Sequence, residues 1–200
     1  MPQFGLKGIK AAKYVNTAGT ITYTNPTEVG DAMTANLELR FAEGRLYAED
    51  MLAEYMRKAV GGTISIGVKY IKQTAQQLLF GVQTKNRNIT YIPTGTTVTA
   101  TATATSVVNG GSDLGQYVGL AFYAPDMVDG VKKFTCVFVK KCLFGPPSMS
   151  LQTMGENITF NTPTTSGEFL ADDRAAPDLF EGAIVDDENE AKAWVTAVLA

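Results

Sequence analysis

The 200-residue chain contains no histidine. That removes the commonest general base, the commonest zinc ligand and every His-based triad. Two cysteines, Cys136 and Cys142, stand on one predicted strand. At about 3.3 Å per residue, the six positions between them put their Cα atoms roughly 20 Å apart. A disulfide needs about 7 Å or less. They read as buried thiols, with a bridge between subunits as the sharper alternative. Glu49-Asp50 is an adjacent acid pair that could meet a distant carboxyl, but a solvated or salt-bridged pair is the ordinary reading. Asp186-Asp187-Glu188 lacks the spaced ligands and the glycine of a calcium loop. No Gly-x-Gly-x-x-Gly fingerprint or P-loop is present. Lys132-Lys133 and Lys140-Lys141 are the local concentrations of positive charge. With the other cations scattered, they support strand-edge or rim charges better than a nucleic-acid site. The residues therefore predict no catalytic group, no cofactor and no metal, and the chain reads as non-enzymatic.

The elements that would carry these residues are mostly strands. Tyr117 to Phe144 predicts a β-hairpin whose arms run from Tyr117 to Tyr123 and from Phe134 to Phe144, with Ala124 to Val131 as the loop. Its β-branched and aromatic content suits a pleated surface. Apolar residues fall on both parities, which implies strands covered on two faces or a sheet that also meets another subunit. Ile9–Val15 and Thr20–Thr24 predict strands around the turn Asn16-Thr17-Ala18-Gly19, and Asn25-Pro26 should end the second. Asn36–Phe41 alternates as a strand with one wet face. Leu46 to Ala59 carries good helix formers, and Leu52, Tyr55, Met56 and Ala59 fall at helical spacing, so Met51–Ala59 predicts a helix ended by Gly61-Gly62. Thr63–Tyr70 alternates again.

Thr74 to Gly81 predicts a short helix with a Thr74/Gln77 capping box and Gly81 at its C-terminus. Thr96 to Val108 alternates Thr and Ala, which predicts a strand with a closely packed small-residue face or, alternatively, an edge or hairpin open to neighbours. Asn157–Asn161 and Thr165–Leu170 are further strand candidates. Residues 171–186 show little periodicity and read as a linker. The stripe Ala191, Trp194, Val195, Val198, Leu199 predicts a terminal amphipathic helix capped by Asp187 and anchored by Trp194.

Size and composition set the frame. The length fits one domain with an appendage. Charged residues make up 18%, below the usual quarter, which fits surface buried between subunits. No apolar run reaches the roughly 18 residues of a membrane span, and no apolar stretch follows the first residues as a signal peptide would require, so folding in a cytoplasm is expected. Residues 1–171 hold 15 Lys+Arg and 12 Asp+Glu, net +3, and residues 172–200 hold 2 and 8, net −6. An acidic tail on a slightly basic body reads as a solvated linker, or as a segment that docks on a basic patch of a neighbouring copy. The predicted division is a β domain over 1–171 and an acidic linker with a helical arm over 172–200.

Several of these stretches, taken in order, resemble the major tail proteins of long-tailed, non-contractile phages. Phe4-Gly5-Leu6-Lys7 resembles the family's opening. Leu46-Tyr47-Ala48-Glu49-Asp50 resembles its Leu/Phe-Tyr-Ala-acidic-acidic motif. Gly61-Gly62 with the alternating strand after it, the short helix ending Leu79-Phe80-Gly81, and Gln116 to Phe122 are similar to family segments. So are Lys140 to Phe144 with the following prolines, Ile158 to Thr164, and the acidic linker with its Ala-Trp helix. The family's segment after the paired acids is an irregular loop, whereas Met51–Ala59 reads here as helical. The Thr/Ala stretch matches no family motif.

The resemblance implies a mainly β subunit, an antiparallel β-sandwich or barrel of the phage tail tube type, with a short flanking helix and a C-terminal amphipathic helix. It implies a structural virion protein whose homohexameric rings stack into a tube that conducts genome DNA into the host. The expected partners are further copies of the chain and the tape measure, terminator and baseplate proteins. DNA would pass through a neutral to acidic lumen without specific binding, and no membrane is involved. The protein would be synthesised in the host cytoplasm and reside in the virion. Leu46, Tyr47, Glu49, Asp50, Tyr55, Met56, Trp194 and Val198 are the residues assigned to contacts between subunits or rings. The alternatives are the ring protein of a phage-like injection or secretion device, and a β-sandwich module binding carbohydrate or peptide.

Overall fold

The computed structural model describes residues 5–111, 113–148 and 162–200. The described chain runs β1 (Lys7–Thr17), β2 (Thr20–Glu28), β3 (Ala32–Ala48), β4 (Met51–Val68), α1 (Gln73–Phe80), β5 (Gln83–Tyr91), β6 (Ala100–Val108), β7 (Val118–Val128), β8 (Val131–Phe144), β9 (Thr164–Leu170), β10 (Phe180–Val185) and α2 (Glu188–Ala197). The predicted strand over Asn157–Asn161 lies outside the described residues. The fold is mainly β, and every strand pairing in it is antiparallel. The main sheet has the order β2-β1-β7-β8-β9-β4-β3 and is open, with β2 and β3 at its two ends. β10 pairs with β8, and β5 and β6 form a separate two-stranded sheet.

The β7–β8 hairpin is the centre of the sheet, and its two-faced apolar character has a direct cause. Val118, Leu120 and Phe122 point into one core with Ile9, Ile64, Ile66, Leu79 and Phe169. Ala121 and Tyr123 point into a second core on the other face, with Tyr14, Tyr23, Phe134, Phe138, Val195 and Leu199. α1 contributes Ala75, Leu79 and Phe80 to the first core, and α2 contributes Ala191, Val195 and Leu199 to the second. Each face of these strands is thus covered by the chain itself. Cys136 and Cys142 are free and buried, and they belong to opposite cores. Burial pushes both thiols up, Cys142 most strongly.

Several expectations are corrected. Ala124–Val128 is strand, not loop: it pairs down to Val128↔Val131, leaving Asp129-Gly130 as a two-residue turn with φ of 51° and 77°. Positive φ at both positions is the type I′ geometry, whose twist matches that of the strands it joins. β2 runs through Pro26 to Glu28, with an irregular register against β1 between Ala11 and Lys13. α1 begins after Lys72 and has no side-chain cap, so the Thr74/Gln77 box does not form, while Gly81 closes the helix at φ 67° as expected. The Thr/Ala stretch is β6, in a hairpin with β5 whose every residue is exposed, so the open-hairpin alternative describes it.

The largest correction concerns residues 171–186, read as a linker. Phe180–Val185 is a strand paired with Phe134–Val139 of β8. The local sequence hides it because the ladder partner lies some forty positions upstream. β8 takes β10 along the first half of one edge and β9, through Lys141–Phe144, along the second. Where the two meet, β8 bulges. Val118 pairs with Cys142 but Leu120 with Val139, so one extra residue fits at Lys140-Lys141. A bulge re-aims its side chains, and here it turns both lysines toward the acidic segment.

Candidate functional site

The β3–β4 hairpin is a feature that the other described residues leave largely uncovered. From Ala32 to Leu39 it belongs to the sheet, because β9 pairs with β4 from Gly67 to Gly62. Beyond Gly62 only β3 and β4 remain, and the hairpin continues alone to its turn at Glu49-Asp50. Nine β3 residues, Arg40 to Ala48, at about 3.3 Å each give a free arm of roughly 30 Å. Gly61-Gly62 is the exit point rather than a stop signal. A Cβ on Gly62 would lie 2.0 Å from the Glu38 carbonyl oxygen and 2.5 Å from the Phe169 ring, and Gly61 sits at φ 142°. The register shifts between Arg40 and Phe41 at this point, so the arm leaves the sheet through a bulge.

Met51–Ala59, expected as a helix, is thus strand throughout. The helix formers there express a weak local preference, which the long partner strand overrides by pairing almost every residue from Phe41 to Ala48. A helical stripe of Leu52, Tyr55, Met56 and Ala59 would also need an apolar face to cover it, and none of the described residues supplies one here.

The arm has two different faces. Cross-strand partners point the same way. One face therefore carries Phe41, Glu43 and Arg45 opposite Ala59, Arg57 and Tyr55. Its groups are tied together: Arg57 lies 3.7 Å over the Phe41 ring and 3.4 Å from Glu43, and Arg45 lies 3.5 Å from Glu43 and 5.7 Å over Tyr55. The other face carries Ala42, Gly44, Leu46 and Ala48 opposite Lys58, Met56, Glu54 and Met51. A shallow hollow opens over Gly44 between Leu46 and Met56. Exposures are high for apolar residues: Leu46 58%, Tyr47 61%, Met51 73%, Met56 74%. Four apolar side chains exposed by more than half within one hairpin make the arm the candidate surface of this fold.

Leu46, Tyr47, Glu49, Asp50, Tyr55 and Met56 all lie on this arm, brought together by one hairpin. Trp194 and Val198 lie elsewhere. They sit half-buried on α2 and pack against the second core of their own chain. The fully buried anchors of that helix are Ala191, Val195 and Leu199, not Trp194. Asp187 caps it as expected, accepting from the Asn189 N–H at 2.7 Å.

The acidic segment is largely exposed, but it is also strapped to its own body. Asp173 accepts from Lys141 Nζ at 2.6 Å and from the Tyr14 hydroxyl at 2.9 Å. Asp178 accepts from Lys140 Nζ at 2.7 Å, with Glu181 at 3.7 Å. Asp186 meets Lys133 at 2.9 Å, and Glu188 meets Lys7 at 3.0 Å. The hydrogen bond from Lys141 leads in lowering the pKa of Asp173, that from Lys140 does so for Asp178, and that from Lys7 for Glu188. Burial pushes the Tyr123 phenol up to about 12, helped by its hydrogen bond to Glu188. Five of the eight acids in residues 172–200 thus meet lysines of the body within one chain: Asp173, Asp178, Glu181, Asp186 and Glu188.

Sequence reasoning offered an open hairpin for the Thr/Ala stretch but missed its partner β5 and the cationic face that β5 brings. Gln83, Lys85, Arg87, Ile89 and Tyr91 share one face with Val108, Ser106, Ala104, Ala102 and Ala100, and the other face holds Asn86 and Asn88 accepting from Thr105 and Thr103 at 3.0 and 3.1 Å. The period-two run Lys85-x-Arg87-x-Ile89-x-Tyr91 is the signal that could have found it. Among the described residues no group of three or more acids or cysteines is arranged to hold a metal, and no helix is long and apolar enough to cross a membrane. No family model matches the chain, and no curated protein matches it.

Proposed function

We propose that the protein is a structural virion protein of the phage tail tube type, whose hexameric rings stack into the tube of a long non-contractile tail and conduct genome DNA. The observation that carries this reading is the β3–β4 arm. It projects its apolar residues, Leu46, Met51 and Met56 among them, where none of the other described residues buries them, and the motif at its tip is one of those that resemble the tail tube family.

The open sheet supports the same reading. Among the described residues its end strands, β2 and β3, each have one unpaired edge, and they stand at opposite ends of the strand order. Exposed edges invite pairing with another chain, and two different edges meeting head to tail close into a ring once the rotation repeats. The arm then supplies contacts between subunits or between successive rings. The tape measure, terminator and baseplate proteins would meet the tube at its ends and in its lumen. A strongly basic wall would hold DNA phosphates. Lys140 and Lys141 are each paired with carboxylates, so neither brings free positive charge to a lumen.

Electron microscopy of the purified protein tests the proposal. Rings of six-fold symmetry or tubes support it, and a monomer that persists at high concentration overturns it.

A further inference from the structure

Two clusters of charge find no ion-pair partner among the described residues. The arm tip holds Glu49, Asp50 and Glu54, all exposed, and the acids of the chain that do form pairs are elsewhere. Of the arm's cations, Arg45 and Arg57 are engaged with Glu43, and Lys58, on the face of Glu54, makes no ion pair with it. The β5–β6 hairpin holds Lys85 and Arg87 on one face, opposite Ser106 and Ala104, with no acid on that face. Each cluster adjoins exposed apolar side chains: Met51 and Leu52 beside the acids, Ile89 and Tyr91 beside the cations. The Ala floor of β6 leaves that second surface low and open.

We propose that the acidic tip of the β3–β4 arm of one copy docks on the Lys85/Arg87 face of the β5–β6 hairpin of a second copy. This rests on the self-assembly reading above and names the pair of surfaces that meet. The two surfaces differ, so the contact is head to tail and builds a ring or a filament rather than a closed pair. Complementary charge steers the encounter and fixes the register, while the Met51/Leu52 and Ile89/Tyr91 groups supply the buried apolar area. Exposed ion pairs are screened by salt, so the association weakens as ionic strength rises.

The test uses full-length chains and sedimentation velocity at low salt. K85E/R87E and E49K/D50K/E54K are each expected to self-associate roughly tenfold more weakly than the native chain, because like charges then face each other. The chain carrying all five reversals restores association. Circular dichroism and thermal melts keep the comparison to folded protein, since every altered residue is exposed. As a second measurement, a mixture of D50C and R87C chains under mild oxidation forms a dimer linked through those two positions. Several outcomes overturn the pairing while leaving self-assembly standing: a native chain that associates with both reversed variants unchanged, a five-fold variant that does not recover, or no cross-link between D50C and R87C in assembled protein. Loss of DNA-duplex binding in K85E/R87E with self-association unaltered also overturns it. A native chain that stays monomeric overturns both this pairing and the reading it rests on.

Discussion

Lys140 Nζ lies 2.7 Å from the Asp178 carboxylate, and the lysine side chain is 5% exposed while the aspartate is 56% exposed. The pair joins the bulge of β8 to the segment that leads into β10. It is lopsided: the cation is buried and the anion can return to water. Removing the anion should therefore cost more than replacing the cation. Asp178→Ala leaves a buried ammonium with only Glu181, and a loss of about 1–3 kcal/mol is expected, below the full cost of breaking a buried pair. Lys140→Met keeps the volume and leaves two solvated acids, so its stability should stay within about 1 kcal/mol of native. Urea melts of the two variants check the order, and equal losses would contradict it.

Acid should loosen the strap before the first core. Asp173, Asp178 and Glu188 all titrate lower when folded than when unfolded. In such a case the unfolded chain takes up protons first. The stabilisation is complete above the unfolded value near pH 4 and is lost as pH falls through the depressed folded values. Trp194, half-buried on α2, reports this directly. Its emission should shift to the red below about pH 4 while hydrogen exchange in β4 and β9 remains slow. Simultaneous loss of both would show that the strap is no separate unit.

Removing residues 172–200 should destabilise the body rather than leave it intact. α2 and its neighbours cover Tyr14, Tyr23, Phe134 and Phe138, and Leu199 is fully buried. Leu199→Ala alone should cost about 2–5 kcal/mol. The truncated chain should expose the second core and aggregate or melt far below the native chain in a thermal scan.

The parts of this fold that were legible in the sequence are those whose signal is local. The β7–β8 hairpin showed apolar residues on both parities because both of its faces are buried. The terminal helix showed its stripe and its Asp187 cap. What stayed hidden depends on distant partners. Met51–Ala59 is a strand only because β3 lies beside it, and Phe180–Val185 only because β8 offers an edge. Lys140 looked like a rim charge because its burial follows from a bulge that no spacing announces. Of the candidate site, Leu46, Tyr47, Glu49 and Asp50 stand in the Leu46 to Asp50 motif and Tyr55 and Met56 in the segment after it, whereas Trp194 and Val198 come from the helical stripe and are half-buried against the second core of their own chain.

The turn at the arm tip should respond to conventional turn chemistry. Glu49 and Asp50 sit at φ of 50° and 61°, where side chains other than Gly and Asn are disfavoured. Left-handed backbone costs roughly 1 kcal/mol or more at such positions. Glu49→Asn with Asp50→Gly should therefore slow hydrogen exchange along Leu46–Tyr55 while weakening association, since the substitutions relieve strain and remove two tip charges together. Faster exchange in the arm would contradict the turn geometry.

The most direct measurement of the central claim is the mass of the native protein in solution beside that of an arm variant, L46S/M51S/M56S. The account predicts that the native chain sediments at six times its 21.4 kDa mass or more, and that the variant, folded by circular dichroism, sediments as a single chain. A native protein that stays at 21.4 kDa at high concentration, or a variant that assembles as the native does, would contradict it.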